Sequence, residues 1–235
     1  MDALDYTFKP ITIIMKKIFA TILAASMMLV ATNAFAQLTA GLGYINSTEK
    51  SVYTPDNGDP ITTTTPLNGF YVGADYNIPV PAVSGLSVEP GLYASMLFGK
   101  QDIEEVKLLT VVLYPGGSYK YSDIAVNVPI KAKYSMDLSG DTKVFAYAGP
   151  TFSYALSNKT QYATNGSSDY STTDNLKGNS ANRNPFNIYV GGGLGFQVSK
   201  IQINLGYDVS ILNYSTKDKT KLSRPLLRIG VGYAL

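Results

Sequence analysis

The chain is 235 residues long, carries a formal net charge of +2 at pH 7 and contains neither cysteine nor histidine. It therefore lacks disulfides, thiolate metal ligands, the commonest metal-binding side chain and the usual general base, which excludes Ser-His-Asp and Cys-His catalysis. The balanced charge offers no basic face for nucleic acid. A composition with 18 tyrosines, 21 glycines and no tryptophan favours strands and turns. We therefore expect an all-β protein without catalytic, metal-binding or cofactor-binding residues.

The N-terminal segment has the features of a secretory signal. Lys16 and Lys17 precede an apolar run that ends at Val30, and an Ala-Phe-Ala triplet that ends at Ala36 supplies the small residues of a cleavage site. The apolar run is too short to span a membrane comfortably as a helix. The sequence therefore predicts export and cleavage.

This signal divides the chain into two parts. Residues 1–36 are predicted to be the signal peptide, and residues 37–235 the mature domain. Residues 1–14 lie upstream of a more natural start at Met15. They are either the product of a mis-assigned start or an extension of the charged n-region.

Apolar residues alternate with small or polar ones throughout the mature domain. The two-residue period of a β-strand recurs in residues 38–44, 70–78, 86–98, 124–134, 144–154, 186–196, 201–211 and 227–235. One face of these segments is apolar, and the other is dominated by Gly, Tyr, Ser and Asn. A soluble sandwich would show a solvated face rich in Lys, Glu and Thr, whereas small inner residues suit a narrow barrel. The pattern predicts an eight-stranded antiparallel up-and-down transmembrane β-barrel.

The segments that link these strands alternate between long and short. The long links are residues 47–67, 100–122, 157–185 and 213–225, and the short ones are residues 79–85, 137–142 and 199–200. Outer-membrane barrels have short periplasmic turns and longer extracellular loops. We therefore expect the long links outside the cell and both termini in the periplasm.

Two features interrupt the regular pattern. Pro90 and Pro129 fall within predicted strands and predict bulges or a broken ladder, because proline has no N–H to donate. The second long link contains an apolar run, residues 108–113, followed by Pro-Gly-Gly at 115–117. It predicts strands that continue above the membrane with a hairpin at 115–117. A partner-binding strand edge is the alternative.

Charged residues also fall on the inward faces of the predicted strands. They are Asp75, Glu89, Lys131, Lys133, Asp208 and Arg228. An unpaired charge inside a side-chain-filled barrel would be costly, so we expect a structural network of ion pairs that plugs the lumen. A proton or ion path and a pair of catalytic carboxylates are the alternatives.

The C-terminal strand alternates strictly from Arg228 to Leu235. Its pattern resembles the terminal signal that outer-membrane barrels present to the barrel assembly machinery, with Gly230, Tyr233 and Leu235 at the defining positions. Leu235 stands where that signal usually ends in an aromatic residue. The resemblance implies that the assembly machinery is a partner.

Three further motifs lie in the strands. They are a Val-Pro-Ile-Lys sequence in a segment that ends at Tyr134, a Gly-Pro pair that ends at Pro150, and Gly206-Tyr207 in the penultimate strand. Together they resemble the small outer-membrane β-barrel domain proteins of the eight-stranded OmpX/OmpA type, over essentially all of residues 37–235. Asn127 stands where that family usually has Glu, and Gly206 where Arg is common, so an inherited ion pair at these positions is in doubt.

The resemblance implies a location in the cell outer membrane, among outer-membrane lipids, and no assigned activity. We expect a non-enzymatic barrel with a structural or surface-interaction role, which contacts an extracellular protein or glycan through residues 47–67, 100–122 and 157–185. A narrow ion or small-solute channel is the alternative. A lipid-modifying barrel enzyme fits less well, because enzymes of that kind depend on histidine, which the chain lacks.

Overall fold

The computed structural model describes residues 37–103, 105–108, 111–114, 116–164, 167, 169–178 and 181–235. The signal peptide and upstream extension predicted for residues 1–36 lie outside the described residues. The described ranges are built from strands and contain no helix long and apolar enough to cross a membrane.

Twelve strands follow one another along the described chain. They are β1 (Gln37–Tyr53), β2 (Ile61–Pro79), β3 (Leu86–Ile103), β4 (Val106–Leu108), β5 (Val111–Tyr114), β6 (Gly117–Ser139), β7 (Thr142–Thr164), β8 (Ser171–Asp174), β9 (Phe186–Val198), β10 (Ile201–Ser210), β11 (Thr220–Ser223) and β12 (Leu226–Ala234).

Eight of these strands close into a ring. Antiparallel neighbours follow the order β1, β2, β3, β6, β7, β9, β10 and β12, and β12 pairs back onto β1. Followed around the ring from Gln37, the register returns to β1 at Ser47, ten residues further on. Such a stagger tilts the strands by roughly 40° and leaves an interior just wide enough for side chains. The predicted eight-stranded up-and-down barrel is confirmed.

The outer wall of the ring carries an exposed apolar belt. Its members include Leu42, Phe70, Val72, Leu92, Met96, Leu194, Leu205, Ile229, Val231 and Tyr233. Exposure of so much apolar surface is unfavourable in water and favourable against lipid. At the upper edge of the belt the rings of Tyr44 and Phe70 meet edge to face, 6.1 Å apart. Beyond this edge the outer face becomes polar, beginning with Asn46 and Asn68.

The two strand prolines interrupt the hydrogen-bonded ladders. Between β3 and β6 the pairing stops at Pro90 and resumes at Tyr93. Between β6 and β7 it stops at Pro129 and resumes at Ala132. These gaps confirm the predicted broken ladder, since a proline cannot donate to a neighbouring strand.

Short turns join the strands at the periplasmic end, as predicted. They occupy residues 80–85, 140–141 and 199–200, and Gly85 and Gly140 have φ values of 79° and 54°, which glycine adopts without strain. Both ends of the described chain lie at this same end of the barrel.

The long links contain strand as well as loop, and in this respect the prediction from sequence was wrong. In the range 47–67, β1 continues to Tyr53 and β2 begins at Ile61, and most of 100–122 is likewise strand. In the range 157–185, β7 continues to Thr164 and β8 adds four residues. β6 and β7 each contain 23 residues, a length of about 75 Å, against an apolar band about 25 Å tall. Above the belt the outer face becomes polar, so the apolar alternation that marks a lipid-facing strand in the sequence is lost.

Short strands complete the extracellular end. β8 adds to the edge of β7, and β11 pairs with the upper part of β1. β4 and β5 pair as a separate hairpin whose chain reverses between Leu108 and Val111. Extended strands above the membrane were therefore predicted correctly, but the hairpin was misplaced at 115–117. Gly117 is already the first residue of β6 and pairs with Ile103 and Thr164, and Pro115 lies outside the described residues.

Candidate functional site in the lumen and at the extracellular end

Four of the six inward charges form two ion pairs inside the barrel. Lys133 Nζ lies 2.9 Å from Glu89 Oε1 and 3.3 Å from Gln202 Oε1. The guanidinium of Arg228 binds the carboxylate of Asp208. All four side chains are buried or nearly so, and each pair joins two neighbouring strands, β3 with β6 and β10 with β12.

The other two inward charges do not form a salt bridge within the described part of the chain. Asp75 accepts a hydrogen bond from the Tyr93 hydroxyl through Oδ2, while its Oδ1 is buried without a partner. The Nζ of Lys131 lies 4.5 Å from the centroid of the Tyr147 ring, a cation–π contact. All six predicted residues thus point into the lumen, and their role as a plug stays a prediction.

Tyrosines fill the lumen above glycines that lie two strands away in the ring. A Cβ on Gly230 of β12 would collide with the Tyr71 hydroxyl of β2, and a Cβ on Gly206 of β10 would collide with that of Tyr147 of β7. The glycine-rich inner face is therefore space for aromatic rings from these nearby strands.

Little room remains between these side chains. Two cavities within the lumen measure about 30 and 40 Å³, and the volume of liquid water per molecule is about 30 Å³. Each cavity has room for only one or two water molecules, so the lumen at this height is packed rather than open.

A second cluster of buried charges lies above the first. Glu49 receives two bonds of 2.5 Å from the guanidinium of Arg183 and one of 2.5 Å from Arg224. Arg224 also donates to Asp123 at 2.5 Å. The side chain of Asn158 donates to the same carboxylate at 3.0 Å. We call Glu49, Asp123, Arg183 and Arg224 the upper charge cluster.

The arginines hold Glu49 in its ionised form. Burial by itself raises the pKa of this carboxyl, but the charges and hydrogen bonds of Arg224 and Arg183 outweigh that effect and lower the pKa to about 2. Bidentate Arg–carboxylate geometry of this kind is among the stronger polar contacts in proteins. The cluster therefore ties β1, β6 and the segments before β9 and β12 to one another.

Sequence reasoning missed the upper charge cluster. Glu49 and Arg183 fall within ranges assigned to loops, and Arg224 falls in the last long link. The two-residue alternation along β1 could have indicated it, because Glu49 lies on the same inward face as Gly43 and Ile45. Extending the strand beyond its apolar residues would have placed it inside.

An open cleft of about 760 Å³ lies at the extracellular end, between the tip of β1 and residues 183–185 and 213–221. Its lining includes Lys217, Lys219 and Lys221, three cations within five residues. Lys219 binds the carboxylate of Asp56, whereas Lys217 and Lys221 are exposed. Asp218 adds one exposed carboxylate to the same lining, so the rim carries a net positive charge.

The combination of a lipid-facing belt and a packed polar interior is that of an outer-membrane barrel. Residues 33–215 match the family model described as outer membrane protein beta-barrel domain. The chain belongs to this family. The match confirms the resemblance drawn from the sequence, and with it the location of this outer membrane β-barrel domain in the cell outer membrane.

Solved barrels resemble this family member at low sequence identity. Ail, the attachment invasion locus protein of Yersinia pestis, is 14% identical with a TM-score of 0.37, over 85% of this chain and 99% of Ail. Neisserial surface protein A is 12% identical with a TM-score of 0.36, over 83% of this chain and 97% of the other. The N-terminal β-barrel domain of Pseudomonas aeruginosa OprF is 12% identical with a TM-score of 0.28, over 83% and 99%. No curated protein matches the sequence.

The C-terminal strand of this barrel domain closes the ring. Tyr233 and Leu235 are 49% and 62% exposed on the lipid side, and Gly230 is buried on the inner side. Lys200 Nζ lies 5.6 Å from the centre of the Tyr233 ring at the periplasmic edge. These positions make the outward side chains accessible for recognition, and the assembly signal stays a prediction.

Proposed function

We propose that this protein is a non-enzymatic outer-membrane barrel that keeps its lumen closed and binds a surface ligand at its extracellular end. The observation that carries the proposal is the continuation of the strands beyond the apolar belt into a polar wall that ends in the cleft of about 760 Å³. A barrel that served only to fill the membrane would not need this wall.

The upper charge cluster supports a binding role because it holds the extracellular end in one arrangement. Arg183 lines the cleft and is fixed from below by Glu49. A pre-organised site loses less conformational freedom when it binds. The positive rim formed by Lys217 and Lys221 favours an anionic ligand, such as an acidic protein segment or an anionic glycan.

The packed lumen argues against the channel alternative. An eight-stranded barrel has an interior that side chains can fill, and here ion pairs and tyrosines leave cavities of about 30 and 40 Å³. Lipid-modifying chemistry of the kind that depends on histidine has no candidate residue in the chain.

Single-cysteine labelling tests the orientation on which the proposal rests. Because the chain has no cysteine, Lys217→Cys and Asp141→Cys would each introduce one thiol, at the cleft and in a periplasmic turn. We expect a membrane-impermeant maleimide to label the first in intact cells and the second only after the outer membrane is permeabilised. The reverse pattern would overturn the proposal.

Ligand binding is tested with whole cells on arrays of acidic glycans and acidic peptides. Cells that express the protein should bind a subset of these ligands, and Lys217→Glu combined with Lys221→Glu should abolish that binding. Lys143→Glu, in a strand near the periplasmic turn, is the matched charge-reversal control and should have no effect. Unchanged binding by the double variant would remove the cleft from the proposal.

A further inference from the structure

A groove of about 670 Å³ runs along the outer wall, immediately above the apolar belt, where β2, β3, β6 and β7 lie side by side. The ring of Phe98, 47% exposed, forms its lower part. Asn68 and Gln161 contribute amides, and Lys100 and Lys120 contribute ammonium groups. This groove lies on the outward-facing side of the barrel wall and is distinct from the cleft at the extracellular end.

Two like charges stand directly opposite each other in this groove. Lys100 on β3 and Lys120 on β6 are cross-strand partners, and both are exposed. Like charges in this arrangement destabilise a sheet. The carboxylate of Asp102 lies 2.8 Å from Lys100 Nζ and also accepts a bond from Ser118, so it compensates part of the charge. Asp102 does not line the groove, and the described residues that do line it include these two cations and no carboxylate.

The environment of Lys120 does not neutralise it. Its Nζ lies 4.0 Å from the centroid of the Tyr170 ring, which stabilises a cation without compensating its charge. Among the described residues Lys120 forms no salt bridge. An anionic ligand between the two lysines would relieve their mutual repulsion.

The amide of Asn68 is oriented for a ligand. Its Oδ1 accepts hydrogen bonds from the Tyr44 hydroxyl and, at 2.8 Å, from Asn46 Nδ2. Both bonds use the carbonyl oxygen, which leaves the amide N–H groups to donate elsewhere. An additional donor therefore lies beside Phe98, which is the cross-strand partner of Asn68, at the lower part of the groove.

From the belt upward, the wall thus presents an aromatic ring with an amide beside it, and then two cations with a second amide beside them. A membrane lipid presents the complementary sequence of acyl chain, polar linkage and phosphate. We propose that the groove binds the phosphate of an anionic lipid of the outer leaflet, with Lys100 and Lys120 as its ligands. This site goes beyond the proposed surface function and does not depend on it.

The test measures the affinity of the folded protein for defined lipids in zwitterionic detergent micelles, by native mass spectrometry. The probes are diphosphorylated lipid A, the same lipid after enzymatic removal of both phosphates, and inorganic phosphate. We expect the diphosphorylated lipid to bind and the dephosphorylated lipid to bind at least tenfold more weakly. Equal binding of the two lipids would overturn the proposal, as would inorganic phosphate that binds more tightly than the lipid.

Lysine variants locate the site. A basic side chain near an anionic membrane surface contributes about 1 kcal/mol, so Lys100→Gln and Lys120→Gln should each weaken binding about fivefold, and the double variant about 25-fold. Lys50→Gln, on the outer wall of β1 and outside the groove, is the matched control and should bind as the native protein does. Lys120→Arg retains the charge and should retain binding. Equal loss in the Lys50 variant would show that net charge rather than the groove determines affinity, and would overturn the site.

Discussion

At the scale of single residues, the ionised carboxylate of Glu49 depends on its partners, because it is buried between two arginines. Glu49→Gln removes the negative charge and leaves both guanidinium groups without their shared carboxylate. We expect the free energy of unfolding to fall by about 3–5 kcal/mol, the range for breaking a buried ion pair. Urea titration in detergent micelles measures the loss.

An exposed pair provides the control for this variant. Asp137 lies 3.2 Å from Lys143 and both are solvent-accessible, so Asp137→Asn should change stability by about 0–1 kcal/mol. A Glu49 variant no less stable than the Asp137 variant would show that the upper charge cluster does not hold the extracellular end together.

The same carboxyl makes stability depend on pH. Its folded-state pKa of about 2 lies below the ordinary value of 4.5, so between these values the unfolded chain binds more protons. The stabilisation is therefore present above pH 4.5 and is lost as the pH falls through about 2, a change of about 3 kcal/mol. Urea midpoints measured from pH 6 to pH 2 should converge for the native protein and Glu49→Gln. A constant gap across this range would contradict the assignment.

The inner-face glycines make a separate prediction. Gly230→Ala places a methyl group against the Tyr71 hydroxyl, and overpacking of this kind costs about 1–3 kcal/mol. Tyr71→Phe removes the colliding oxygen and should restore most of the loss in the double variant. Gly41→Ala is the control, since its Cβ would meet its nearest atom at 3.4 Å. Additive losses in the double variant would show that the two residues do not oppose each other.

At the scale of elements, β12 combines a structural role in closing the ring with a predicted role as assembly signal. Tyr233→Asp places a charge near the periplasmic edge, where its energetic cost is small, about 0–1 kcal/mol. We therefore expect this variant to refold in detergent almost normally and to assemble poorly in cells, whereas Leu235→Phe assembles in both settings. Heat-modifiable gel migration measures folding in each. Normal assembly of the Tyr233→Asp variant in cells would show that this strand does not carry the assembly signal.

The sequence reveals that a strand exists more readily than it reveals where that strand ends. Within the belt, lipid on one side and side chains on the other impose a two-residue period, so the lower parts of β1, β2 and β10 are evident. Above the belt, water replaces lipid and the outer residues turn polar, as at Thr48 and Lys50 on β1. The ladder continues there by backbone pairing, which a polar outer face does not reveal in the side-chain hydropathy.

At the scale of the whole molecule, the packed lumen predicts a barrel without a stable conductance. Planar bilayers that contain the refolded protein should show no reproducible current steps, because the ion pairs of Glu89 and Arg228 and the lumen tyrosines occupy the bore. Incorporation is confirmed by heat-modifiable migration of the same sample. Large regular steps that Glu89→Gln or Arg228→Gln abolishes would instead support the channel alternative.

The sequence by itself determined the fold, the location and which charges face inward within the belt. These follow from the alternation of side chains along each strand, which does not depend on knowing the neighbouring strands. Only the tertiary structure decided which charges meet. The register of the closed ring brings Lys133 to Glu89, and it brings Glu49 to arginines more than 130 positions away in the chain. Such pairings depend on the register between strands that lie far apart in the chain, so no local pattern encodes them.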